Sequence, residues 1–244
     1  MSGGPGSAGR RGIVREGIAV GVATGAYGLS FGAIGVASGL DVWQTAALSL
    51  LMFTGASQFA MVGVLASGGS PWSGAATAVL LGTRNGLYGL RLAPLLGWTG
   101  WRRTAAAHIV IDESTAMSVN RDSAADARTG FLSAGLAVFA LWNLATVVGA
   151  LAGTALGDPR DLGLDAAVGA AFLALLWPRL RDRTNRVVAV LGAAVALGLL
   201  PFSPAGLPVL AAAAVAVVVG VLAPRPDPTE VPGPDDLPAG GVHR

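Results

Sequence analysis

Nine residues in three short stretches carry most of the chemistry open to this chain. Thr54, Gly55, Ser57 and Gln58 lie in one polar run, Arg84, Asn85 and Tyr88 in a second, and Asp112 with Glu113 in a third. Each stretch sits inside a long apolar segment. Arg84 is thirteen residues from either end of the segment 71–97, which on a helix is about 20 Å from each end. Snorkelling covers only part of that distance, so Arg84 has to face protein or water and needs an anionic partner. Its planar fork suits a carboxylate held by two hydrogen bonds. That carboxylate belongs either to a bound solute or to Asp112 or Glu113 in a structural ion pair, and one arginine can serve both in turn. Tyr88 follows one turn later and Arg91 two turns later on the same face. Arg91 is close enough to the segment end to snorkel.

Asp112 and Glu113 are adjacent, so on a helix they point about 100° apart. One can meet Arg84 while the other faces a cavity. A carboxyl held away from water at membrane depth can take up and release a proton. The alternative is a solvated helix end with both carboxylates on the surface. His108, one turn earlier, is a relay or, as for most lone histidines, structural. The Phe53–Phe59 run places Thr54, Gly55, Ser57 and Gln58 where lipid supplies no hydrogen-bond partner. A cavity wall or a broken helix would supply partners; plain interhelical hydrogen bonding by Ser57 and Gln58 is the simpler account. Metal-ligand clusters, P-loops, dinucleotide fingerprints and nucleophile elbows are all missing from the sequence. No cofactor, metal or enzymatic activity is therefore expected. The lack of Cys excludes disulfide and thiolate chemistry.

Composition decides what elements position these groups. Apolar residues make up 53% of the 244 and charged residues 12%, about half the usual share for a soluble domain. The mean hydropathy is +0.63. Such a chain cannot cover a soluble surface and reads as an all-α integral membrane protein, a polytopic bundle of about seven or eight transmembrane or re-entrant helices, some broken. The net charge of only +2 and the lack of a basic face argue against nucleic acid. All sixteen basic residues are Arg.

Residues 1–12 read as a flexible tail, 13–223 as the transmembrane domain and 224–244 as a disordered Pro-rich tail. Spans are expected at 13–38, 42–67, 71–96, 104–119, 130–156 and 164–178, followed by two short apolar stretches at 187–200 and 206–223. Glycines at 17, 21, 25, 28, 32, 35 and 39 form a small-residue stripe along the first span, which permits close helix packing. With six crossings, the arginines at 10, 11 and 15 and those at 179–186 share one side, expected to be the cytoplasm, together with the 121–128 loop. Arg102 and Arg103 then fall outside, against the positive-inside tendency. One span is therefore expected to be re-entrant, with the second the first suspect.

The residues quoted also carry a family likeness. Phe53–Ala60 resembles the F-x-GASQFA signature of the AzlC family, the large subunits of branched-chain amino acid exporters. Arg84, Tyr88 and Leu92-Ala93-Pro94 follow at matching spacing, Asp112-Glu113 matches a D-E segment, and Leu162–Asp165 with Phe172–Leu176 resembles a later conserved region. The likeness covers about residues 13–200. Gly82 stands where the family usually has Asn, Asn85 where it has His, and Ile111 where a small polar residue is usual. The resemblance implies a secondary transporter subunit in the cytoplasmic (inner) membrane, exporting branched-chain or related neutral amino acids, with the proton gradient as driving force. It implies that Thr54, Gly55, Ser57, Gln58, Arg84, Asn85 and Tyr88 bind substrate and that Asp112 and Glu113 couple protons. It also implies a small AzlD-type membrane partner, for which the glycine stripe is one candidate interface and packing within the chain the other use. Three further readings stand beside it: a transporter of a different small solute on the same fold, a non-transporting membrane scaffold subunit, and an intramembrane enzyme, for which no residue pattern gives positive support.

Overall fold

The computed structural model describes residues 5–119, 121–155, 173, 176–203 and 207–222. These residues form ten α-helices and two short 3-10 turns, with no strand among them. The helices are α1 (Pro5–Gly25), α2 (Tyr27–Ala37), α3 (Val42–Leu51), α4 (Ala56–Ala66), α5 (Pro71–Leu96), α6 (Gly100–His108), α7 (Asp112–Val119), α8 (Ala124–Ala155), α9 (Arg183–Leu199) and α10 (Leu207–Leu222). The fold is an all-α membrane protein, as its composition requires. Helix α1 begins at Pro5, inside the segment read as a tail. Most of the expected sixth span, the Leu162–Asp165 motif and residues 224–244 lie outside the described residues.

The longest helix, α8, is about 48 Å long at 1.5 Å per residue, and it gives the heights of the others. Helices α1 and α2 run alongside it in the same direction. Gly17 lies against Ser133, Gly21 against Ala137, Gly25 against Leu141 and Gly32 against Thr146. A Cβ on Gly32 would collide with the Thr146 carbonyl oxygen. The glycine stripe thus serves packing within the chain, where small residues let backbones approach.

Helix α3 runs the opposite way. Its start packs Thr45 against Gly35, the Ser49 hydroxyl donates to Thr146 Oγ1 at 3.2 Å, and Phe53, just beyond its end, meets Phe139 edge-on at 5.1 Å. Helix α4 then turns back. Its Phe59 reaches Trp142 at 6.2 Å and Phe31 at 5.5 Å. Helix α5 starts beside the far end of α4, with Gly74 on Met61 and Gly82 near Ser57, and descends until the Leu96 carbonyl accepts from Arg128 Nε at 2.7 Å. Helix α6 climbs again to His108, whose ring lies 5.6 Å from Phe139. Helix α7 returns, bringing Met117 against Gly130, and Arg121 just beyond it pairs with Glu16 at 2.8 Å.

Two re-entrant hairpins follow from these heights. Helices α3 and α4, of 10 and 11 residues, enter from the face where α2 and α8 end. Helices α6 and α7, of 9 and 8 residues, enter from the face where α1 and α8 begin. Each half-helix is too short to cross a hydrocarbon core of about 30 Å. The suspected second span is therefore re-entrant. The fourth, expected as a single helix over 104–119, is re-entrant as well. The β-branched run Ile109-Val110-Ile111 disfavours helix there, and Ser114 Oγ accepts the Ile111 N–H at 3.0 Å, giving the broken backbone a partner. The first tip is built alike, with Gln58 Oε1 accepting the Gly55 N–H at 3.0 Å. In both hairpins the capping residue lies three positions after the break, and Ala-Met follows at 60–61 and at 116–117. Each hairpin is followed by a long helix packed on its second half. The two units have the same design and opposite direction, the inverted arrangement in which half-helix ends meet near mid-depth.

Candidate functional site

The tips of the two hairpins meet. His108 Nε2 lies 2.8 Å from the Leu50 carbonyl oxygen, and the rings of Phe53 and His108 are 6.4 Å apart. His108 is thus a link between hairpins. At the first tip, the chain unwinds over 52–55 and Gly55 adopts φ 65°, ψ −90°, a conformation that strongly favours glycine. Thr54 stays within the break, its hydroxyl directed at the Met52 carbonyl at 3.5 Å. Ser57 and Gln58 are buried, at 2% and 0% exposure. Gln58 Nε2 has no hydrogen-bond partner, although such groups in a dry interior nearly always have one.

Helix α5 passes both tips. Gly82 abuts Ser57, and half a turn later the Arg84 guanidinium reaches Asp112 Oδ2 at 3.2 Å. Both partners keep about a third of their side-chain surface, 31% and 35%, so the pair is not sealed inside the bundle. Asn85 holds its Oδ1 buried and without a partner. Tyr88 packs against the apolar core made by Phe31, Phe59, Leu92 and their neighbours.

At the second tip the two carboxylates part company, as their 100° offset requires. Asp112 faces α5 and Arg84. Glu113 accepts from the Thr24 hydroxyl of α1 at 3.3 Å. The structure thus brings together Thr54, Gly55, Ser57, Gln58, Arg84, Asn85, Asp112 and Glu113 around two touching tips, with Tyr88 one turn away. Thr24 and Ser114 are additions. Ser114 was detectable as the counterpart of Gln58, each three residues after a break. Thr24, a lone hydroxyl among glycines, gives no local signal. An apolar groove of about 390 Å³ runs from Trp101 and Arg102 to Ile109 at the second tip. No group of three or more potential metal ligands occurs among the described residues.

The model of the AzlC protein family matches residues 19–156, more than half of the chain and both hairpins. The chain belongs to the AzlC family. This AzlC protein is 33% identical over 174 residues to an uncharacterized membrane protein of Archaeoglobus fulgidus, covering 69% of this chain and 74% of the relative. It is 26% identical over 172 residues to an uncharacterized membrane protein of Helicobacter pylori strain J99, covering 70% and 75%. No solved structure matches it.

Proposed function

We propose that this AzlC protein is the large subunit of a secondary exporter that moves branched-chain or related neutral amino acids out across the cytoplasmic membrane, coupled to protons. One observation carries the reading: two broken helices, entering from opposite faces, place their tips around a partly exposed Arg84–Asp112 pair. Charges at such depth are costly, and unwound backbone at mid-membrane is tolerated where it lines a cavity or is buried in protein. Secondary transporters keep their substrate and ion sites in such places. Arg84 offers the carboxylate fork, and residues 54–58 line the site. Gly82 leaves room beside Ser57, while Phe53 and Phe59 supply apolar wall.

The arginines also support an orientation. Arg10, Arg11, Arg15, Arg102, Arg103, Arg121 and Arg128 belong to segments that begin or end on one face, which favours that face, and the N-terminus with it, as cytoplasmic. The surface that would take a small AzlD-type partner lies elsewhere than the glycine stripe, because α8 already covers that stripe.

Efflux of a panel of neutral amino acids from cells expressing this chain, with and without a co-expressed small AzlD-type membrane protein, tests the proposal. Chain-dependent efflux that Arg84→Ala abolishes is expected. Efflux at wild-type rates from the Arg84→Ala variant would sink the site, and no chain-dependent efflux of any neutral amino acid would sink the function.

A further inference from the structure

The two tips are capped alike, each by a side chain three residues after the break, and are opposite in charge. The first turn of α4 holds no acidic residue. The N–H groups of Ala56 and Ser57, in that first turn, have no intrahelical acceptor, and the helix end carries partial positive charge. Gln58 adds a second and independent donor. Its amide is held in one orientation, because Oε1 accepts the Gly55 N–H at 3.0 Å. Its Nε2 is thereby left at the tip, fully buried and without a partner. The first turn of α7 instead carries Asp112 and Glu113. Arg84 lies on α5, the helix that touches both tips: Gly82, two residues earlier, faces Ser57, and the Arg84 guanidinium is 3.2 Å from Asp112.

We propose that a zwitterionic solute binds by inserting into the Arg84–Asp112 pair, its carboxylate passing to Arg84 and the Gln58 tip of α4 and its ammonium passing to Asp112. The inference rests on the transport reading above and assigns the polarity of that site. Its physical basis is charge balance. One ion pair is exchanged for two, so no uncompensated charge is left at mid-depth, where it is expensive. A solute with only a carboxylate would strand Asp112. A solute with only an ammonium would strand Arg84. Asp112 is then an ammonium ligand, and proton traffic is left to Glu113, which hydrogen-bonds Thr24 on α1 instead.

The test uses the full chain in proteoliposomes and three probes of one carbon skeleton: L-leucine, its carboxamide and its 2-oxo acid. Leucine should cross at least tenfold faster than either analogue. Asp112→Asn should lose leucine flux and narrow its advantage over the 2-oxo acid. Gln58→Glu keeps the acceptor for the Gly55 N–H and replaces the donor with a carboxylate, so it should raise the KM for leucine at least tenfold, and as an unpaired buried charge it should also lower the thermal unfolding midpoint. Equal flux of leucine and its 2-oxo acid in the wild type overturns the inference and leaves the transporter reading standing. So does an unchanged leucine KM in Gln58→Glu. Flux of none of the three probes, with a small AzlD-type protein co-reconstituted or omitted, overturns the inference and the branched-chain part of the transporter reading. The wild-type comparison needs no variant, so a poorly folding Asp112→Asn protein does not block the decision.

Discussion

Arg84 and Asp112 show what one arginine at mid-depth demands. Depth along the helix required an anionic partner, and the structure supplies Asp112 at 3.2 Å. Removing Arg84 alone leaves a carboxylate without its cation. Because both side chains remain about one-third exposed, the expected loss for Arg84→Ala is modest, about 1–2 kcal/mol of stability. The double variant Arg84→Ala/Asp112→Ala should recover the thermal midpoint but not the flux. A double variant that restores export would show that the pair is structural only. Glu113 separates from Asp112 in role as well as direction. Glu113→Gln keeps the Thr24 hydrogen bond and removes the titrating group. Efflux in that variant should no longer accelerate when an inward proton gradient is imposed, measured against the same gradient in the wild type.

At the scale of the helices, two features bear load. The first is the contact of α2 with α8, in which Gly32 faces the Thr146 carbonyl with no space for a Cβ. A backbone carbonyl cannot swing aside as a side chain can. Gly32→Val should therefore cost about 1–3 kcal/mol or more, read as a lowered unfolding temperature in detergent. Gly86→Ala, on α5 with open space around it, should be neutral or slightly stabilising. The second is the break at the first tip. Gly55 has φ 65°, ψ −90°, so Gly55→Ala should cost about 1–3 kcal/mol in backbone strain and weaken flux with it. A fully active Gly55→Ala protein would mean that the tip is not part of the path. The breaks themselves differ in legibility. Thr54-Gly55 announces an interruption through its residue types. Ile109-Val110-Ile111 is apolar throughout and passes for an ordinary span interior, with only its β-branched run and the following Ser114 to mark it.

At the scale of the molecule, the two inverted hairpins remove a contradiction in the charge pattern. Treating residues 104–119 as a crossing puts Arg102 and Arg103 on the wrong face. As a re-entrant hairpin, α6 and α7 start and finish on the face that holds Arg15, Arg121 and Arg128. The chain has no Cys, which makes this directly measurable with single-cysteine variants and a membrane-impermeant thiol reagent. Cysteines at Ser38 and Ser67 should label from one side of the membrane, and cysteines at Thr99 and Ser123 from the other. Labelling of Ser38 and Ser67 from opposite sides would make α3 and α4 a crossing and overturn the inverted arrangement.

The sequence by itself determined the solvent of this protein and the residues that matter. Hydropathy sets the lipid environment, and a charge or an unwound polar run inside an apolar segment is costly enough to be noticed without coordinates. It left open whether Arg84 pairs within the chain, which of Asp112 and Glu113 it would meet, and what the glycine stripe packs against. Those answers depend on where helices distant in sequence come to lie, and local propensity carries no such information. Only the tertiary structure showed that two half-helix pairs enter from opposite faces. A helix of 10 residues followed by another of 11 has the same hydropathy whether the second continues across the membrane or turns back, and the packing of α4 on α5 and of α7 on α8 decides which.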